Sequence, residues 1–186
     1  MYNFRSKPRL TGPRARGLTL VELLAALTIL ALVLGIGAPS FSYLLAERRA
    51  SGEKSGLQDA LAVARELARQ SGAPSALCAS TSGTGCTDTA WHKGYLVFLD
   101  LNGNGVVDAG ENVALHSPKA AVGVTIDGIE KDGGAAVDEV RFDPEGKLSG
   151  TSPIQFTVCS SAVAPYLVAV RRNGQVAGAK SNGVCP

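Results

Sequence analysis

The 186-residue chain has two histidines, one tryptophan and no Cys-x-x-Cys, so it lacks the ligand spacing of a structural zinc site. It also has no Gly-x-Ser-x-Gly and no phosphate-binding glycine loop. Their absence removes the usual signatures of acyl transfer and nucleotide chemistry. His92 and His116 stand apart and read as surface or strand residues, while Asp138-Glu139, Asp143 and Glu145 read as solvated turn charges. A non-enzyme is expected. Charge is scarce as well, at 18% of residues against 45% apolar, which excludes disorder throughout. No acid occurs before residue 18, although Arg5, Lys7, Arg9, Arg14 and Arg16 do. Without that segment the chain holds 13 basic and 16 acidic residues, a net charge of −3. A body of that charge is a poor general magnet for DNA, whose non-specific binding rests on neutralising phosphates.

Past the basic segment the chain turns apolar. Residues 18–39 contain one charge, Glu22, and from Leu23 to Ala38 there is none. About 20 apolar residues span a bilayer core as a helix, so this run is a membrane-segment candidate. It is too long for the apolar part of an ordinary secretory signal. An acid inside a membrane segment is costly and normally has a partner or a task. The positive charges ahead of the run keep the N-terminus cytoplasmic.

Arg16-Gly17 followed by Leu18-Thr19-Leu20-Val21-Glu22 resembles the class III signal of type IV pilins and type II secretion pseudopilins. The resemblance implies that a prepilin peptidase cuts between Gly17 and Leu18, that Leu18 is then N-methylated, and that Glu22 is the acid used in assembly. Leu18 stands where most members have Phe. Pro39 matches the helix-kinking proline that pilins carry at this distance from the cut. The physics agrees, because cleavage creates an amine at Leu18 and Glu22 is the acid within reach, four residues on along one helix face. Such a pair penalises wrong registers more than it stabilises.

Beyond Pro39 the helical period resumes through Leu57, Ala60, Leu61, Ala64, Leu67 and Ala68, and should end near Ser71-Gly72 with Pro74 beyond. Eight strands are then expected at Ser75–Ala79, Gly94–Asp100, Asn112–Ser117, Val122–Asp127, Glu139–Phe142, Ile154–Cys159, Tyr166–Arg171 and Gln175–Ala179. Asn173-Gly174 is the pair favoured in a tight type I′ hairpin. The expected fold is α+β and pilin-like, with a long N-terminal transmembrane and spine helix packed on an antiparallel β-sheet head. The expected divisions are a leader over 1–17, a transmembrane helix over 18–38, its continuation over 39–72 and a periplasmic head over 73–186. Four cysteines, Cys78, Cys86, Cys159 and Cys185, lie beyond the membrane segment. An even count on an exported side argues for disulfides, and four cysteines allow three pairings. Cys78 with Cys86 would close a short Ser/Thr/Gly loop, and Cys159 with Cys185 would tie down the chain end.

The body carries Trp91-His92-Lys93-Gly94-Tyr95-Leu96-Val97-Phe98, then Asp100-Leu101-Asn102-Gly103-Asn104-Gly105, then Gly110-Glu111. In these features it is similar to the GspH/FimT group of minor pseudopilins. That likeness implies a structural subunit that initiates or caps a filament of a type IV pilus or a type II secretion pseudopilus. It also implies an inner-membrane anchor and a periplasmic head before assembly. Partners would be other minor and major pilins or pseudopilins, the prepilin peptidase and the inner-membrane assembly platform. Two further readings concern the head. Asp100, Asn102, Asn104, Asp108 and Glu111 satisfy the spacing of an EF-hand calcium loop, with Gly105 at its sixth place. The flanks read as strands where an EF-hand has helices, so no cofactor is expected, with calcium the one alternative. Some FimT-like members bind DNA through a C-terminal Gly-Arg-x-Arg. Here that stretch is Gly174-Gln175-Val176-Ala177, which leaves Arg171, Arg172 and Lys180 as a small basic patch. Nucleic acid is therefore the alternative partner and not the expected one.

Overall fold

A computed structural model of the chain describes residues 17–161 and 163–185, without the side chains of residues 36–39. The leader up to Arg16 and the Pro39 kink lie outside the described residues. Contacts divide the chain into two units, one ending at Ser40 and one starting at Phe41. Helix α1 covers Leu20–Ser71 and so contributes to both. Its first part is long and apolar enough, by length and composition, to cross a membrane. Leu20, Val21, Ile29, Leu32, Val33 and Leu34 are all exposed there.

In the unit from Phe41, α1 supplies one face of the core. Ala50, Leu57, Ala60, Leu61, Ala64 and Ala68 are buried at helical spacing. Most are alanines, so the sheets can approach the helix axis closely. The Ser71 hydroxyl donates to the Leu67 carbonyl at 2.7 Å. Gly72 then takes a left-handed conformation, φ +64°, and ends the helix ahead of Pro74.

Eight strands come next, β1 Ser75–Ala79, β2 Tyr95–Leu99, β3 Val113–Ser117, β4 Val124–Glu130, β5 Glu139–Phe142, β6 Ile154–Ser160, β7 Tyr166–Val170 and β8 Val176–Lys180. They form two antiparallel sheets, ordered β3-β2-β1-β5 and β4-β6-β7-β8, where one sheet was expected. The chain changes sheet three times, because β4 pairs with β6, β5 returns to β1, and β6 crosses back. β4 begins two residues later than the pattern suggested. Ala121 N–H donates to Glu53 Oε1 at 2.8 Å, and Gly123 turns with φ +82°.

Trp91 joins the two sheets. Its ring meets Phe156 of β6 edge-on at 4.8 Å, and its Nε1 donates to the Val137 carbonyl just before β5 at 2.6 Å. A buried indole needs such an acceptor. Gly128 of β4 lies opposite Phe156, and a Cβ there would stand 2.7 Å from the ring. That close approach explains a glycine in mid-strand.

The hairpin tip at 171–175 is one residue longer than a type I′ turn. Gly174 N–H donates to Arg171 O at 2.8 Å and Arg171 N–H to Gln175 O at 2.9 Å, with Gly174 left-handed. This is the three-residue loop with a glycine bulge. Asp143–Lys147 repeats it, with Gly146 as the left-handed residue. The two tips meet under Arg65 of α1, whose Nε donates to Gly146 O at 2.9 Å and whose guanidinium reaches Asn173 O at 3.3 Å.

Candidate functional site

Gly17, Leu18 and Thr19 precede α1 without helical structure and are exposed. Thr19 starts the helix. Its carbonyl accepts from Leu23 N–H at 3.1 Å, and its hydroxyl oxygen accepts from Glu22 N–H at 3.2 Å. In return Glu22 Oε2 accepts from the Thr19 N–H and hydroxyl, each at 3.2 Å. This reciprocal arrangement is a capping box. A threonine three residues before a glutamate at the head of an apolar run is its sequence signature, and reading Glu22 for its charge alone passes over Thr19. Glu22 therefore serves the start of the helix, and Leu18 stands just ahead of it, outside the helix.

In the head, the structure joins Cys78 to Cys86 and Cys159 to Cys185, with Cα separations of 5.4 and 5.7 Å. The first bridge fixes a loop over the outer face of the first sheet. There Ala76, Cys78, Leu96 and Phe98 form a second small core, covered by Cys86 and Val107. Cys86 N–H donates to Gly105 O at 2.8 Å, so this loop and the 100–111 loop form one cover. Both faces of β1 and β2 are buried as a result.

The 100–111 loop closes on its own side chains and on one arginine. Asp100, buried at 1% exposure, accepts from Gly103 N–H at 2.8 Å, Asn104 N–H at 3.1 Å and Gly105 N–H at 3.1 Å. Its Oδ2 also pairs with Arg141 of β5 at 2.7 Å. Asn102 and Asn104 each donate a side-chain N–H to Asp108, at 2.8 and 2.7 Å, which holds the Asp108 carboxyl below its ordinary range. Glu111 accepts from Leu101 N–H and Asp108 N–H, at 2.8 and 2.9 Å. The carboxylates accept protein hydrogens, and Arg141 brings its charge to the first acid of the spacing. Among the described residues no group of three or more His, Cys, Asp and Glu is placed to hold a metal ion.

Glu139 is not a solvated turn charge. It sits half-buried on β5 beside Arg141, whose guanidinium nitrogen comes within 2.7 Å of its Oε1, yet that oxygen has no hydrogen-bond partner. Burial pushes its carboxyl above the ordinary value, against the pull of Arg141.

The three basic candidates do not form one patch. Arg171 and Arg172 occupy the tip of the β7–β8 hairpin, whereas Lys180 pairs with Tyr166 at the opposite end. Lys180 lies four residue steps along the strand from Val176, about 14 Å. Arg172 meets Asp132 at 3.4 Å, and Lys180 meets Glu47 of α1 at 2.6 Å. Arg171 spends a donor on Gln175 at 2.7 Å. Glu47 also accepts from the Tyr166 hydroxyl. Hydrogen bonds from Lys180 and then Tyr166 hold the Glu47 carboxyl below its ordinary value.

Comparison with known proteins agrees with this geometry. Residues 55–175 match the family model for type II transport protein GspH, and residues 12–38 match that for the prokaryotic N-terminal methylation motif. The type IV minor pilin FimU of Pseudomonas aeruginosa is similar in structure at a TM-score of 0.55 and 17% identity, over 70% of this chain and 88% of that one. The minor pseudopilin EPSH of the Vibrio cholerae type II secretion system is similar at 0.53 and 14% identity, over 73% and 97%. At these identities the likeness is one of fold. No curated protein matches the chain by sequence.

Proposed function

The chain belongs to the GspH family of type II transport proteins, and from that premise we propose that it is made as a prepilin and serves as a structural, assembly-initiating minor subunit. The filament would be a type IV pilus or a type II secretion pseudopilus. In this reading a prepilin peptidase removes residues 1–17 and methylates Leu18. The N-terminus faces the cytoplasm, and the disulfide-bonded head stands in the periplasm until an inner-membrane platform moves the subunit into a filament of pilins or pseudopilins. One observation carries the reading. A single chain joins the methylation motif, an exposed apolar helix entered through Glu22, and a GspH-type head built on the same helix.

Intact-mass analysis of membranes with and without prepilin peptidase tests it. The expected mature species begins at N-methyl-Leu18, and a mature start beyond Ala38 overturns the reading. Glu22→Ala is expected to permit cleavage and to impair incorporation, because the new amine loses its partner. Incorporation at the wild-type level would remove the register role of Glu22.

A further inference from the structure

We propose that the end of the head beside residues 47–49 of α1 is a contact surface for an anionic lipid bilayer, with Arg48 and Arg49 as its phosphate-binding groups. The inference rests on the reading that the apolar run of α1 lies in a membrane. Its structural evidence comes from the unit that starts at Phe41. Val124 at the start of β4 pairs with Ser160 at the end of β6, and Tyr166 at the start of β7 pairs with Lys180 at the end of β8. Glu47 ties α1 to this edge through Tyr166 and Lys180, and Arg49 Nη1 donates to Val122 O at 3.4 Å. Arg65 meets the hairpin tips at the opposite end. The edge beside residue 47 is therefore the one on the side of Phe41.

Two kinds of group stand open there. Val122 is 83% exposed and Val184 90%, beside a recess lined by Gly123, Ser160, Val163 and Val184. The Cys159–Cys185 bridge ties down the chain next to Val184. Arg48 is exposed and has no ion-pair partner among the described residues, while Arg49 spends one donor on Val122. The acids nearby are already engaged, Glu47 by Lys180 and Glu53 by the Ala121 N–H. Lys54 and Lys119 add to the same sign, on a body whose net charge without residues 1–17 is −3. Position in the chain selects a bilayer as the occupant. Phe41 follows the apolar run by three residues, so exposed Phe41 and Tyr43 fall in the headgroup layer when that run fills the hydrocarbon core. Arg48 is seven residues further, about 10 Å of helix. Helical side chains lean toward the N-terminus, so the arginine stems reach back toward that layer. Phosphates would take the guanidinium groups, and the two valines would meet the interface beneath them. Docked in this way, the head is held at the bilayer before a filament takes the subunit.

The full chain in vesicles provides the test, with nitroxide carried on the lipid headgroups as quencher. Val122→Trp places a reporter at the open position, and Trp91 is buried and contributes a shielded background. Strong quenching is expected in vesicles of phosphatidylglycerol with phosphatidylcholine, and weak quenching in phosphatidylcholine alone. Glu145→Trp, an exposed site on the 143–147 turn under Arg65, is expected to stay unquenched. Each arginine near an anionic surface contributes about fivefold, so Arg48→Gln/Arg49→Gln should lower the docked-to-free ratio roughly thirtyfold. Arg48→Lys/Arg49→Lys keeps the charge and should keep the quenching. Salt at about 0.5 M, where charges act over roughly 4 Å, should release the head with both arginines intact. Quenching of Val122→Trp that is equal in the two vesicles, or insensitive to salt, overturns the proposal. So does a reporter that becomes shielded only as protein is crowded in the vesicle, since a second copy is then the occupant. Leu30→Trp with bromine on the acyl chains tests the underlying reading separately. If Leu30→Trp is quenched and Val122→Trp is not, docking is overturned and the anchor stands. If neither is quenched, both fall.

Discussion

Replacing Arg141 by methionine should destabilise the head substantially, and the size of the effect is set by the groups Arg141 leaves behind. The substitution keeps most of the stem volume and removes the guanidinium that pairs with Asp100 and Glu139, each at 2.7 Å. The Asp100 side chain is 0% exposed, so its charge would remain buried, held by three backbone N–H groups alone. Removing one partner of a buried pair costs about 3–5 kcal/mol. Because those three N–H groups survive, about 2–4 kcal/mol is the expected share. For a chain of this size that lowers Tm by roughly 5–15 °C. Near-UV circular dichroism of the full chain in detergent reads the melt. The same sample tests the calcium spacing, since a site holding calcium at a hundredfold excess over Kd would add about 2.7 kcal/mol. We expect millimolar calcium to leave the wild-type melt unchanged, because Arg141 and the loop N–H groups already occupy Asp100. An Arg141→Met chain that melts within about 2 °C of wild type would refute the reasoning, as would a calcium-dependent rise in wild type.

Replacing Cys159 and Cys185 together by alanine should cost more than replacing Cys78 and Cys86, since the bridges close separations of 26 and 8 residues. Loop entropy puts the two losses at about 3.5 and 2.5 kcal/mol, readable by denaturant melts. The two perturbed glutamates should respond to pH in opposite senses. Glu47 lies below its ordinary value, so its contribution is full above about pH 4.5 and is lost as pH falls, and Glu47→Gln should flatten that acid limb. Glu139 lies above its ordinary value, so its ionisation opposes folding as pH rises past about 4.5, and Glu139→Gln should raise Tm at neutral pH. Duplex DNA should not shift with the chain in an electrophoretic assay at about 150 mM salt. A shift that survives that salt and vanishes in Arg171→Ala/Arg172→Ala would make the subunit a DNA receptor.

The elements were legible because each is decided locally. Gly72 with Pro74 ends the helix, and runs such as Ile154–Ser160 are bounded by turn residues on both sides. The GspH likeness could be read from Trp91 through Glu111, a stretch that turns out to contain the Trp91 link between the sheets and the closed loop at Asp100. Partner choice at long range could not be read. Asp100 and Arg141 lie 41 positions apart, and nothing in either segment selects the other until β1 and β5 are paired. The division into two sheets has the same origin, since turn chemistry fixes where strands end and not which strand lies beside which. The Thr19 cap is different, being local and visible in the sequence.

The basic residues show why a charge count overstates what a surface offers. Arg172 ends on Asp132 and Lys180 on Glu47, while Arg65 spends its donors on the carbonyls of Gly146 and Asn173. The last two contacts share a pattern, because each ties the β7–β8 hairpin to α1, at residue 47 near one end and residue 65 near the other. β8 is an edge strand with little buried surface, so apolar packing alone holds it weakly. Polar ties at both ends supply what burial does not. Lys180→Ala should therefore loosen β8, seen as faster amide exchange at Ala177 and Ala179, whose N–H groups face β7. A cation recruited to hold the last strand on its helix is poorly placed to meet phosphate, and that favours the structural role over nucleic-acid capture.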